Sequence, residues 1–198
     1  MLREFVPAVI IAAAVAAPSA AAAPPASPAL TPPPPPFETC KTVGAGTICS
    51  GTTTFAYGPE DTGIICGDGA SVLDSATVDQ HAVRYYDADG RLTRLVIHDV
   101  YRAASLTSST TGATVAYTQH TTSTFELTVP GDLNGATETI TGQTNVNVPH
   151  IGVVLQSTGR IVFANDAIDF SAGPHAVDAY FSGDTTALAA LCAVLAGG

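Results

Sequence analysis

The chain has 198 residues, with 7 Lys or Arg against 17 Asp or Glu, so its formal net charge is −10. Nucleic acids and anionic membrane surfaces both bind proteins through clustered basic side chains, and this composition excludes both as partners. The acidity is typical of a protein kept soluble outside the cell.

The N-terminus is typical of an export signal. Arg3 supplies a weakly charged start, residues 5–17 form an apolar segment, and Ala20 to Ala22 provide a cleavage site of small residues. We therefore predict a signal peptide over residues 1–22 and a secreted protein, extracellular or in the cell envelope. A membrane anchor is the alternative. The apolar run is shorter than the roughly 20 residues that cross a bilayer, so we expect no stable membrane insertion.

Residues 23–36 are rich in proline and end in the run Pro32–Pro36. Proline fixes φ and removes the backbone donor, which predicts a stiff polyproline II segment without a core. We predict a Pro-rich linker that acts as a semi-rigid spacer. A ligand for a proline-recognition domain is the alternative, although no basic residue flanks the run.

From residue 37 onward, Thr, Val, Ile and Tyr are interrupted by Gly and Asp, a composition that favours β-strands. About 160 residues are enough for one domain. We expect residues 37–65 to form a small β-hairpin extension with a loop at Gly58–Asp61. Residues 66–198 are expected to form the main domain.

Long strands joined by tight turns are predicted in the main domain, with turns at Asp87–Gly90, Ser108–Gly112, Pro130–Gly135, Ser157–Gly159 and Asn165–Asp166. Over residues 113–129 apolar and polar side chains alternate, and the apolar face holds Val115, Tyr117, Phe125, Leu127 and Val129. This order predicts an all-β antiparallel meander. Closing it into a barrel would remove the exposed edges, and a sandwich is the alternative.

One short C-terminal helix is predicted after Gly183, where Asp184 or Thr185 can cap it. Its apolar face has the spacing i, i+3, i+4 and i+7 and consists of Leu188, Leu191, Cys192 and Leu195. The helix therefore turns a cysteine toward the body of the protein.

The four cysteines are Cys40, Cys49, Cys66 and Cys192. In an exported chain an even number predicts two disulfides, with three possible pairings. We favour Cys40–Cys49, which would close a local hairpin, and Cys66–Cys192, which would tie the start of the main domain to its last helix. A zinc site is the alternative. The chain has no C-x-x-C and no close Cys/His cluster, so we predict no metal and no cofactor.

Several segments resemble a group of secreted, functionally uncharacterised bacterial proteins: Cys66-Gly67, YYDADGRLTR, GVVLQSTGRIVF with SAGPHAVD after it, and ALCAVLA. The likeness covers about residues 66–196. It implies an eight-stranded antiparallel barrel of the type shared with allene oxide cyclase and dirigent proteins, and it supports the Cys66–Cys192 pairing. The resemblance brings no catalytic residues, and the Cys40–Cys49 segment departs from its pattern.

Arginine, histidine and tyrosine side chains are the candidate ligand-binding groups. Arginine recognises carboxylates through paired hydrogen bonds, and tyrosine can line an apolar cavity. The predicted ligand-binding residues are Arg94, His98, Tyr101, Arg102, Tyr117 and His120. The structural alternatives are core packing of the tyrosines and ion pairs of the arginines with Asp79, Asp99 or Glu126.

A metal site built from three of the five histidines is a further alternative, since antiparallel pairing brings distant positions together. No G-x-S-x-G nucleophile motif occurs, and no catalytic residue is predicted. We therefore expect a non-enzymatic barrel that binds a small apolar or amphipathic molecule or presents its surface to a partner. A cyclase or isomerase acting inside the barrel, and a structural envelope protein, are the alternatives. The sequence leaves the oligomeric state open.

Overall fold

The computed structural model describes residues 28–164 and 167–197. The predicted signal peptide, residues 1–22, lies outside the described residues, as does the start of the Pro-rich linker. The strands are β1 Thr39–Val43, β2 Gly46–Ile65, β3 Ser71–Tyr86, β4 Leu92–Ser108, β5 Thr114–Glu126, β6 Thr137–Val148, β7 Gly152–Ala164 and β8 Ala167–Ala172. Two short helices follow them, α1 Ala176–Phe181 and α2 Ala189–Leu195.

All eight strands belong to one sheet, in which each strand pairs antiparallel with the next one along the chain. The predicted all-β meander is confirmed, and the single sheet rules out a sandwich. In the described part of the chain β1 and β8 are the two edges and do not pair with each other. Strand pairing therefore does not close the sheet into a barrel.

Residues 39–65 belong to this same sheet, so the expected extension is not separate from the main domain. β2 is a 20-residue strand that pairs with β3 along most of its length. The loop expected at Gly58–Asp61 is wrong, because register shifts between Tyr57 and Ile65 absorb the extra residues and pairing resumes beyond them. The eight strands thus comprise two from the expected extension and six from the main domain.

β7 runs straight through the turn predicted at Ser157–Gly159, so that prediction is wrong. Gly159 has a φ of 132°, which glycine adopts without strain, and it stays paired with Gly142 on β6. An added Cβ at Gly159 would collide with the carbonyl oxygen of Ala172, and one at Gly142 with that of His120. The two glycines therefore allow neighbouring backbones to approach more closely than any larger residue would permit.

The sheet curves around one hydrophobic cluster. Strands β2 to β7 all contribute buried side chains to it, and so does α2. Leu188, Leu191 and Leu195 of this helical segment are each at most 1% exposed. Six consecutive strands and one helix can share a single cluster only if the sheet curves around it, so α2 lies on the concave face.

The predicted C-terminal helix and its apolar face are confirmed, although the helix begins at Ala189 and no side chain caps it. The six-residue α1 is not predicted from the sequence. It has no side-chain cap and no buried residue, so it lacks both signals by which a sequence indicates a helix. Neither of the helices described is long and apolar enough to cross a membrane.

The structure contains both favoured disulfides. Cys40–Cys49 joins directly opposed residues of the β1–β2 hairpin. Cys66–Cys192 connects the residue after β2 to α2 across a sequence separation of 126 residues. The second disulfide thereby attaches the buried helix to the strand that borders it.

The described end of the Pro-rich segment lies against the sheet. Thr31 donates its backbone N–H to Gly90 (2.8 Å), and its carbonyl accepts from the N–H of Leu92 (2.9 Å). Leu30 packs against a second hydrophobic cluster, which consists of Cys49, Ala82, Tyr86, Leu92 and Leu95. This part of the predicted spacer is therefore hydrogen-bonded to the β3–β4 hairpin and packed on the domain.

Replacing the two cysteines of each disulfide by alanine tests the importance of the long loop. We expect C66A/C192A to lower the free energy of unfolding by at most about 5 kcal/mol, and C40A/C49A by at most about 3 kcal/mol, because the longer loop gains more entropy when it is released. Urea unfolding at neutral pH measures both. A larger loss in C40A/C49A would contradict the expectation.

The glycine pair generates a second prediction. Gly159→Ala adds a backbone collision to the strain of a positive φ, whereas Gly135→Ala, at a φ of 71°, meets no atom within 4 Å. We expect G135A to cost about 1–2 kcal/mol of unfolding free energy and G159A clearly more. Urea unfolding of the two variants measures both free-energy losses. Equal losses would contradict the expectation and show that β7 tolerates a side chain at Gly159.

Candidate functional site

A cavity of about 310 Å³ lies on the concave face of the sheet, under α1. Strands β2 to β7 and the residues of α1 line it. Its apolar walls include Leu106, Ile140, Leu155, Ile161, Val177 and Phe181. A space of this size, whose lining surface is mainly apolar, is at the lower end of the range for small-molecule sites.

Asp74 is the central polar group of this cavity. Tyr57 donates its hydroxyl to Asp74 Oδ2 (2.7 Å), and Tyr117 donates its hydroxyl to Oδ1 (2.9 Å). The two phenol oxygens lie 3.4 Å apart. Both carboxylate oxygens are thus bound by one hydroxyl each, and we call these three residues the Asp–Tyr cluster.

The pKa of each tyrosine near this carboxylate is raised. Burial is the largest cause for Tyr57 and Tyr117, and the negative charge of Asp74 adds to it. Burial also raises the pKa of Tyr101, followed by the charges of Asp99 and Asp74. These phenols therefore stay protonated at neutral pH and act as hydrogen-bond donors, not as bases.

The strand register brings the cluster together. Asp74 lies directly opposite Leu106 of β4, and Tyr57 lies opposite Ala76 of β3. The irregularities in β2 and β4 adjust the positions of the tyrosines relative to the carboxylate. Side chains from three different strands meet in this way, although the cluster spans residues 57 to 117.

Further polar groups surround the cluster within the cavity. Thr144 donates its hydroxyl to the side-chain oxygen of Gln119 (3.0 Å), and Thr121 and Ser157 line the cavity nearby. Asp178 of α1 supplies a second carboxylate. Among the described residues that line the cavity, none is Lys or Arg.

α1 is held across the gap between β2 and β7. His175, just before the helix, forms a bridge with Ser157 of β7. At its other end, the Tyr180 hydroxyl accepts a hydrogen bond from the N–H of Ile65 (2.9 Å) and lies 3.0 Å from the Ile65 carbonyl oxygen, to which it donates. The helix thereby forms the wall of the cavity that the strands leave open.

Only some of the predicted ligand-binding residues lie near this cavity. Tyr117 lines it, and the ring of Tyr101 is 6.2 Å from the ring of Tyr117. The other four residues are solvent-exposed and project from the opposite, outer face of the sheet: Arg94, His98, Arg102 and His120. The structure therefore does not bring the six residues together into one site.

The outer-face arginines are engaged in ion pairs, as the structural alternative predicted. Arg94 Nε lies 2.9 Å from Glu126 Oε1, and Arg102 is paired with Asp79. Arg84 points to the inner face and is paired with the buried Glu38 (2.9 Å). The three arginines thus bind three different carboxylates and form no common anion site.

The histidines of the outer face lie at a wide depression of about 490 Å³, which His98 and His120 line together with threonines. The rings of His81 and His98 stack at 6.1 Å. Nowhere in the described residues do three or more His, Cys, Asp or Glu lie close enough to hold a metal ion. This face offers hydrogen-bonding groups to solvent.

Asp74 and Tyr57 are the site residues that sequence reasoning missed. One signal for Asp74 exists: it shares the strand face of Val72, which is fully buried. A carboxylate at such a position costs stability unless it is hydrogen-bonded, so it indicates a specific role. Nothing local marks Tyr57, because its approach to Asp74 depends on the register of β2.

Alkaline titration tests the environment of these tyrosines. Because the folded-state pKa values of Tyr57, Tyr101 and Tyr117 are raised, the stability they contribute is present below about pH 10 and is lost as the pH rises further. We expect phenolate absorbance of the folded protein to fall short of all six tyrosines until it unfolds. The urea-unfolded chain, which titrates normally, is the control. Complete ionisation near pH 10 in the folded state would contradict this expectation.

Comparison of the chain with protein-family models, with curated protein sequences and with solved structures found no match. The resemblance to the allene oxide cyclase and dirigent type of barrel therefore stays a prediction.

Proposed function

We propose that this is a secreted, non-enzymatic binding protein that takes a small amphipathic molecule into the cavity under α1. The observation that carries the proposal is the cavity of about 310 Å³, which combines apolar side chains with polar ones and contains the hydrogen-bonded carboxylate of the Asp–Tyr cluster. Apolar walls favour the body of a ligand, and a few fixed polar groups orient it. The two disulfides are consistent with an extracellular protein.

In this proposal, the barrel that the resemblance implies is closed by helix α1 instead of by strand pairing. α1 contacts β7 through His175 and β2 through Tyr180, so it spans the gap that strand pairing leaves. α2 lies on the concave face, and the segment around Leu30 packs at the second cluster. Such an enclosure would retain a small ligand and limit its contact with water.

A cyclase or isomerase is the second candidate, favoured by the carboxylate within the cavity. Asp74 could accept a proton from a bound substrate, since a carboxylate in the cavity can come within hydrogen-bond reach of the proton to be removed. The tyrosines would then remain donors, because their raised pKa values keep them protonated. A purely structural envelope role has less support, because it gives no reason for a cavity with a hydrogen-bonded carboxylate.

A matched pair of substitutions on β5 tests binding in the cavity. Thr121 lines the cavity, so Thr121→Phe fills it, whereas Thr118 is exposed and lines none of the cavities described here. The probe is 1-naphthalenemethanol, a neutral fluorophore, and the chain contains no Trp to interfere with its emission. We expect saturable binding by the wild type and T118F, and loss of binding in T121F.

The fold of both variants is checked by urea unfolding before the titrations are compared. Absence of probe binding by the wild type, or undiminished binding by folded T121F, would refute the proposed function. Turnover of a bound cyclic or unsaturated compound would move the assignment to the second candidate.

A further inference from the structure

We propose that the cavity selects ligands with a hydrogen-bond-donating, preferably cationic head group, such as a primary ammonium, and rejects carboxylates. The inference rests on the proposed function and adds the chemical class of the ligand. It follows from the donors, acceptors and charges that the cavity presents.

Both hydroxyl protons of the Asp–Tyr cluster are engaged within the cluster. Each tyrosine hydroxyl has a single proton, and both protons are directed at Asp74, at 2.7 Å and 2.9 Å. A carboxylate accepts about four hydrogen bonds, so two acceptor positions remain after the tyrosines have bound. The phenol oxygens also retain lone pairs. The cluster can therefore accept hydrogen bonds from a ligand but has none left to donate.

The charged side chains that line the cavity are mainly acidic. The cavity is lined by two carboxylates, Asp74 and Asp178, and by no Lys or Arg among the described residues. His175, which also lines it, lies 3.7 Å from a carboxylate oxygen of Asp178 and 3.0 Å from the Ala172 carbonyl oxygen. An anionic head group at the cluster would be repelled by Asp74, with Asp178 as a second carboxylate in the same cavity, whereas an ammonium would be attracted.

Arginines elsewhere in the described structure do not reverse this balance. Arg84, on the inner face, is paired with Glu38 beside the second cluster, away from the cavity lining. Arg94 and Arg102 are paired with carboxylates on the outer face. The net charge of −10 adds attraction for cations at longer range.

The apolar part of the cavity wall suits an apolar ligand body. Besides the polar side chains described above, the cavity presents Ile140, Leu155 and Ile161, and Phe181 at 59% exposure lies beside Gly63 of β2. These side chains suit a compact aromatic or aliphatic group. A small apolar amine therefore matches both the walls and the Asp–Tyr cluster of the cavity.

Three naphthalene probes of nearly equal shape test the inference: 1-naphthylmethylamine as the cation, 1-naphthalenemethanol as the neutral donor and 1-naphthoate as the anion. We expect wild-type affinity to fall in that order at neutral pH, with the cation bound roughly tenfold to a hundredfold more tightly than the anion. Equal affinities, or tightest binding of the anion, would overturn the inference. If the neutral probe still binds and T121F abolishes that binding, the proposed function survives such a failure.

Asp74→Asn assigns the selectivity to the cluster. We expect D74N to lose most of the preference for the cation while it keeps affinity for the neutral probe. The control Asp169→Asn removes the same charge from exposed β8, away from the cavity lining, and should keep the preference. An unchanged preference in D74N would overturn the assignment. If D74N fails to fold, the inference is judged from the ranking of the three probes by the wild type and from the preference for the cation in Asp178→Asn. Neither measurement requires the cluster to be altered.

Discussion

Packing of α2 against the inside of the sheet is the interaction on which the rest of the structure depends. Leu188, Leu191 and Leu195 are almost completely buried, in a cluster that also contains side chains from six strands. Burial of each leucine stabilises the fold by roughly 1.5–3 kcal/mol, and the strands could not cover their own apolar face without it. Cys66–Cys192 holds the helix at this position by linking it to the end of β2. Curvature, core and cavity all follow from this arrangement.

The cavity lies on the same concave face, where α1 instead of α2 covers the strands. α1 is short and none of its residues is buried, so it closes the wall without filling the space beneath it. Gly142 and Gly159 line this space and contribute no side chain to it. The glycine pair also brings neighbouring backbones close together. The same two residues of β6 and β7 therefore shape the sheet and leave space for the cavity.

The charged groups divide between the two faces of the sheet in a way that determines the character of the cavity. On the outer face, arginines pair with carboxylates at exposed positions, where such pairs stabilise the fold little. On the inner face, Arg84 pairs with Glu38 away from the cavity, whereas Asp74 is hydrogen-bonded by two hydroxyls and no Lys or Arg is among the described residues of the cavity lining. A carboxylate held by neutral donors keeps its negative charge available to a ligand, whereas one paired with arginine does not.

Local signals in the chain account for much of the fold. Alternating residues and turn chemistry predicted β5, the Asp87–Gly90 hairpin and the meander, because both act over a few neighbouring residues. The helical spacing of leucines predicted the buried face of α2 and the direction of Cys192. The ion pairs of Arg94 and Arg102 were the alternative to the predicted ligand binding, and their carboxylate partners lie on the adjacent strands.

The site was decided by the tertiary structure. Tyr57, Asp74 and Tyr117 lie on three strands, and their meeting depends on register shifts that no local pattern reveals. The inner or outer position of a side chain could be read along one strand, but the presence of a cavity depends on how far the whole sheet curves and on what α1 leaves unfilled. The sequence by itself thus determined most of the strands, the number of disulfides and the buried helix face, since these depend on local periodicity and on the count of cysteines. The tertiary structure alone brought the Asp74 carboxylate together with two tyrosine hydroxyls at a cavity whose described lining contains no Lys or Arg, because that combination requires distant strands to be set in register around a shared core.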